Sequence, residues 1–149
     1  MNKEYAIVTD GSCDLPKELC QEKGITVVPF YVSFDGEKYE KEIVEMPIRQ
    51  FYEDMVNNPK VFPKSSMPSV QDYMDAFMPI VQEGKAIICI CITTKFSGSM
   101  QSALNARMMI LEQHPDAEIT VIDATINTVL QGIYVLEAQK MKEAGVPYE

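Results

Sequence analysis

Short runs of β-branched apolar residues alternate along this chain with stretches whose apolar residues recur every three or four positions. The run at 5–9, Tyr5-Ala6-Ile7-Val8-Thr9, is bounded by Asp10-Gly11-Ser12 and reads as a central parallel strand. Asp14 stands where it caps a helix over residues 15 to about 23, with Pro16 in the first turn and Gly24 closing it. Residues 25–32 are strand-like, and Pro29 within them predicts an edge position, a bulge or an early end. Asp35-Gly36 marks a hairpin turn, followed by a short strand near 37–40. Pro47 opens a helix to about residue 56, with Ile48, Phe51, Tyr52 and Met55 predicted to be buried on one side.

Residues 57–69 read as a loop, holding Asn57-Asn58-Pro59, Pro63, Ser65-Ser66 and Pro68. Ser69 and Asp72 have the spacing of a capping box ahead of a helix whose apolar stripe is Val70, Tyr73, Met74, Phe77 and Val81. Pro79 inside that stripe predicts a kink or an early end. Gly84 leads into a second buried strand, Ala86-Ile87-Ile88-Cys89-Ile90-Cys91-Ile92, then a hydroxyl-rich turn, then helical spacing that stops at His114-Pro115. A strand over 118–122 ends at Asp123, and Ile126, Val129, Leu130, Ile133 and Leu136 keep helical spacing to about residue 144. Strands alternating with helices predict an α/β fold, a mostly parallel sheet with helices on both faces, over residues 1–149 as a single domain.

Composition removes several functions. Lys and Arg number 13 against 22 Asp and Glu, a net charge of −9 without a basic cluster, so nucleic acid and anionic membrane are poor partners. No apolar segment approaches the ~20 residues that span a bilayer. Asn2-Lys3-Glu4 leads directly into a strand without the features of a signal peptide, and the expected location is the cytoplasm. Of the four cysteines, Cys89 and Cys91 sit two apart on one strand and face the same side, so they cannot pair locally. With His114 the single histidine, no zinc spacing exists, and the cysteines read as small buried hydrophobes in a reducing compartment. No metal or cofactor is expected.

In a parallel sheet the site lies beyond the carboxyl ends of the strands. The residues there are Asp10, Gly11, Ser12 and Asp14; Ser65 and Ser66, if their loop reaches that edge; Thr93, Thr94 and Ser97; then Asp123, Thr125 and Thr128. A Walker loop is missing, and the phosphatase-like Asp10-Gly11-Ser12 has Val8 where the nucleophilic aspartate would stand. His114 falls at a helix end on the other side of the sheet, so no base serves a serine nucleophile and no enzyme is expected. Asp10 and Asp14 read as residues that tie down a turn and cap a helix rather than as catalytic groups. Ser65, Ser66 and Ser69 divide between loop or cap roles and ligand contact. Ser97 is the natural cap of the helix after it, which is compatible with binding, because that turn offers an acidic group free N–H groups and a positive dipole end. Ten methionines, among them Met74, Met78, Met100, Met108 and Met109, fill core and also suit a flexible apolar ligand.

At these residues the sequence resembles the DegV family of bacterial fatty-acid-binding proteins. The matching pieces are Val8-Thr9-Asp10-Gly11-Ser12-Cys13-Asp14-Leu15-Pro16, Lys64-Ser65-Ser66-Met67-Pro68-Ser69, Phe96-Ser97-Gly98-Ser99-Met100-Gln101-Ser102-Ala103 and Val121-Ile122-Asp123. The family's usual Thr-Ser-Gln-Pro-Ser becomes a segment with Ser65 for threonine and Met67 for glutamine. Its Asp-Ser pair becomes Asp123-Ala124, and a glycine expected in the following helix is Leu130. The resemblance implies a long-chain fatty acid whose carboxylate is held by Ser65 and Ser97, with Ser66, Thr94, Gly98, Asp10 and Ser12 in support. It also implies presentation of that carboxyl group to a separate fatty-acid kinase, the binding protein performing no chemistry. Family members are about twice as long, so this chain resembles their N-terminal domain, and the second lipid-binding domain is absent from it. The alternative from another class is an interaction module, or a homodimer, formed through an exposed apolar face.

Overall fold

The computed structural model describes residues 3–149, so Asn2, part of the lead-in to the first strand, lies outside the described residues. Along the chain run β1 (Tyr5–Asp10), α1 (Lys17–Lys23), β2 (Thr26–Val28), β3 (Tyr31–Ser33), β4 (Glu40–Lys41), α2 (Ile48–Asn57), β5 (Lys64–Ser66), α3 (Val70–Gln82), β6 (Ala86–Cys91), α4 (Ser99–Gln113), β7 (Ile119–Asp123) and α5 (Thr128–Glu143). Four of the strands form an all-parallel sheet in the order β2-β1-β6-β7, with Ile7 beside Ile88 and Cys89 beside Val121. Side chains alternate across it as a pleat requires. Val8, Ile87, Cys89 and Cys91 pack with Tyr73 and Phe77 of α3 and Ala103, Ala106 and Ile110 of α4. Ile7, Ala86 and Ile90 pack on the other face with Cys20 of α1 and Val135 of α5. The expected α/β architecture, helices on both faces of a parallel sheet, is the one found.

Residues 25–32 form two strands in two different sheets. Pro29 has no N–H to give a ladder, and the chain leaves the main sheet after Val28 to enter a small antiparallel sheet, ordered β4-β3-β5. The expected loop over 57–69 carries the third strand of that sheet, with Ser65 opposite Val32 and Ser66 opposite Tyr31. Asp14 does not cap α1: it ends the preceding turn in a left-handed conformation (φ 50°), and Pro16 holds the cap position. Pro79 neither ends α3 nor shortens it, for it lies on an exposed position where water can take the carbonyl its missing N–H leaves free.

Two helices turn their apolar residues outward. None of α2 is buried: Ile48 is 51% exposed, Tyr52 60% and Val56 77%; Phe51 stacks on Phe34 at 5.3 Å and meets Tyr52 edge-on at 5.6 Å. The amphipathic spacing is a true helix signal, but no layer among the described residues covers the stripe. In α5 the buried residues are Gln131, Gly132, Val135 and Gln139, while Val129, Leu130 and Ile133 are exposed. The close-packing glycine of this helix is Gly132, where a Cβ would collide with the Cys13 carbonyl.

Candidate functional site

Asp10 ends β1 fully buried, and its two carboxylate oxygens gather the rim of the sheet. Oδ1 accepts from the Ser12 N–H at 3.3 Å and the Gln131 amide at 2.9 Å; Oδ2 accepts from the Ile92 N–H at 3.0 Å and the Ser99 hydroxyl at 2.8 Å. Burial pushes this carboxyl above its ordinary value, against the pull of those four donors. A carboxylate only accepts, so Ser99 donates to Asp10 and takes its own hydrogen bond from the Tyr73 hydroxyl at 2.6 Å. Tyr73 can then only receive from Cys91 at 3.6 Å, and Cys91 from Cys89 at 3.7 Å. The two strand cysteines are thus buried, as expected, and also the far end of a one-way chain of donors that finishes on Asp10.

Ser97 is half-buried in the turn between β6 and α4, and its Oγ accepts the Ser99 N–H at 3.1 Å. The cap position of α4 is held by Gly98 without a side-chain bond, so the expected cap role of Ser97 is not the one found: Ser97 stands one residue earlier and closes a local turn onto the Ser99 N–H. With one lone pair so engaged, the hydroxyl proton has no acceptor among the described residues, at the start of a helix of 15 residues where N–H groups and dipole favour an anion. Met67 lies against Gly98, a Cβ there falling 2.8 Å from its sulfur, so the segment after β5 meets the Ser97 turn. Ser65 and Ser66 are both exposed on β5 and point to opposite faces of the small sheet, so only one of the two can turn toward Ser97 from the strand.

The supporting residues have other ties as well. The Thr94 hydroxyl donates to Asp123 at 2.7 Å, which with the Thr125 N–H at 2.7 Å holds that carboxyl below its ordinary range. Ser12 accepts the Thr128 N–H at 3.4 Å, joining the β1 turn to the start of α5. Thr125 and Thr128 adopt φ of 60° and 54°, a strained choice for β-branched residues, and both stand on the site rim. Below the small sheet, Asp72 of α3 receives the Tyr31 hydroxyl at 2.9 Å and the Lys41 ammonium at 2.9 Å, and completes the expected capping box with Ser69. Burial alone raises the Asp72 carboxyl; the Ser69 hydroxyl, Lys41, the Ser69 N–H and Tyr31 together hold it at about 2.

Ser99, Tyr73, Gln131 and Glu42 escaped the sequence reading. Only Ser99 left a local signal, as the second serine of Ser97-Gly98-Ser99. Glu42 accepts the Phe30 N–H at 3.0 Å and fills the space that a Cβ on Gly11 would need, a contact between distant segments. Among the described residues there is no group of three or more His, Cys, Asp or Glu placed to hold a metal, and no helix long and apolar enough to cross a membrane. His114 ends α4, beside Lys3 and Lys85 at the amino ends of the strands, away from Ser97.

The family model described as "Uncharacterised protein, DegV family" matches residues 4–149. A DegV domain-containing protein of Clostridium acetobutylicum is 34% identical over 147 residues, 99% of this chain and 50% of that protein. The solved stearic-acid-binding protein from Eubacterium ventriosum is 45% identical with a TM-score of 0.93, the match covering 97% of this chain and 49% of that one. DegV from Bacillus subtilis, described as a fatty acid binding protein, is 26% identical with a TM-score of 0.84 over 97% of this chain and 49% of its own. The chain spans about half the length of these relatives, and the two solved ones carry binding descriptions, not catalytic ones.

Proposed function

This chain belongs to the DegV family, and from that premise we propose that it binds a long-chain fatty acid by its carboxylate, with Ser97 as the principal donor and Ser65 as the second. The observation that carries the reading is the Ser97 hydroxyl, whose lone pair is occupied by the Ser99 N–H while its proton remains free at the start of α4. Exposed apolar side chains flank it, Phe96 beside it in sequence and Met67 against Gly98, and suit an acyl chain leaving the head group. The relatives named above that bind stearic or other fatty acid support the ligand class. Presentation of the bound carboxyl to a fatty-acid kinase in the cytoplasm, with acyl phosphate formed on the kinase, extends the same reading from the family resemblance. Ser66, Thr94, Gly98, Asp10 and Ser12 act in support of the head-group turn.

Mass spectrometry of material extracted from the purified protein tests the ligand class: a C14–C18 fatty acid is the expected find, and nucleotide without lipid overturns the proposal. A second reading, a pairing module, draws on the uncovered stripe Ile48, Tyr52 and Val56 of α2. Sedimentation equilibrium separates the two: a tight dimer in the absence of lipid, and no lipid in the extract, favours pairing.

A further inference from the structure

Both ends of the Ser97 turn hang on one atom. The Ile92 N–H, just before the turn, and the Ser99 hydroxyl, just after it, donate to the same oxygen, Asp10 Oδ2, at 3.0 and 2.8 Å. Ser99 in turn fixes Ser97 through its own N–H at 3.1 Å. The other oxygen, Oδ1, ties in the β1 turn through the Ser12 N–H and helix α5 through Gln131. Asp10 is completely buried, and its four donors come from four separate segments: the β1 turn, the end of β6, the first turn of α4, and α5.

We infer that Asp10, acting through Ser99, is the positioning residue of the head-group site: it does not touch the ligand, but sets the direction in which the Ser97 hydroxyl donates. A hydroxyl rotor has one proton and a free torsion, so its value to an anion depends on what fixes the oxygen and claims its lone pair. Here Ser99 does both, and Ser99 is itself held from two sides, accepting from Tyr73 at 2.6 Å and donating to Asp10. Such chains polarise each other along their length. The alternative, that Asp10 is only a turn lock for β1, accounts for the Ser12 bond but leaves the Ile92 and Ser99 bonds without a purpose at the site.

The consequence for ligand rests on the fatty-acid reading; the anchoring of the turn does not, and the experiment separates them. In the intact chain, Ser99→Ala and Asp10→Asn are compared with wild type by amide hydrogen exchange, and Ser99→Ala is titrated with palmitic acid and with its methyl ester. The expected results are at least tenfold faster exchange at residues 97–99 with unchanged protection in β6, and about tenfold weaker binding of the acid with unchanged binding of the ester. Ser99→Thr, which keeps the hydroxyl, should restore the acid-to-ester ratio. Unaltered exchange in the turn of Ser99→Ala, or equal losses for acid and ester, overturns the inference. If the turn loosens as expected while wild type takes up neither acid nor ester, the positioning role stands and the fatty-acid reading fails. Should Asp10→Asn not fold, Ser99→Ala carries the test alone.

Discussion

Ser97 serves two ends with one hydroxyl, and they separate on mutation. Its oxygen closes the turn before α4 by accepting the Ser99 N–H, a hydrogen bond worth about 1 kcal/mol of stability. In the proposed binding its proton goes to the carboxylate, and a hydrogen bond to a charged group contributes about 1.5–3 kcal/mol. Ser97→Ala should therefore lose about 1 kcal/mol by urea denaturation while keeping its fold, and bind palmitate at least tenfold more weakly by calorimetry. Unchanged affinity would leave Ser97 a turn residue and nothing more. Among the lowered carboxyls, Asp72 contributes most clearly to acid sensitivity. Its carboxyl lies at about 2 when folded against 3.8 unfolded, so the unfolded chain binds the proton first as pH falls. The stability it contributes is full above about pH 4 and is lost on descending through 3.8 toward 2, about 2 kcal/mol in all. Asp10 works in the opposite sense, because burial raises its carboxyl: stability falls as pH rises from its ordinary value of 3.8 to the raised one, above the Asp72 window, and then stays level. Asp72→Asn should flatten the rise in stability between pH 2 and 4 and cost about 2 kcal/mol at neutral pH, read from denaturation midpoints across that range.

The seating of α5 depends on an absent side chain. Gly132 lets the helix approach until its backbone faces the Cys13 carbonyl, and an added Cβ would clash with that oxygen and with Leu15. Backbone cannot give way as a flexible side chain can, so Gly132→Ala should cost about 1–3 kcal/mol in spite of alanine's better helix propensity. Gly98→Ala makes the useful contrast, since the atom it would meet is the mobile Met67 thioether; its unfolding midpoint should stay near that of wild type. The helices, the parallel sheet and the hydroxyl-rich turn were all legible in the sequence, because spacing and turn residues are local signals. Pro29 was read correctly as an interruption, but nothing local told that the chain would cross into another sheet there. The apolar faces of α2 and α5 were read as helix, and their outward direction was hidden because periodicity reports a stripe and not its neighbour. At the site, Asp10, Ser12 and Ser97 stood out as rim residues. Gln131 and Tyr73 did not, for each looks like ordinary helix filling until a strand from another part of the chain delivers Asp10 or Cys91 to it.

At the scale of the molecule the balance between head group and tail decides how such a chain binds. Each methylene wholly removed from water contributes ~0.8 kcal/mol, about fourfold in affinity. The head-group bonds contribute a fixed amount that does not grow with the chain. The apolar surface placed at the Ser97 turn is open: Phe96 is 75% exposed and Met67, against Gly98, 46%. A tail lying on it keeps about half of its surface in water, so each added methylene should gain only about twofold. Titration of saturated acids from C12 to C18 is expected to give that shallow slope. Methyl esters should run parallel to the acids, weaker by a constant factor of about ten, the share of the Ser97 donor. A slope near fourfold would mean that the tail is enclosed on all sides. A second copy of this chain is one source of such an enclosing wall. Sedimentation then identifies the source, because a second copy closing over the tail makes dimerisation depend on the presence of lipid and on its length.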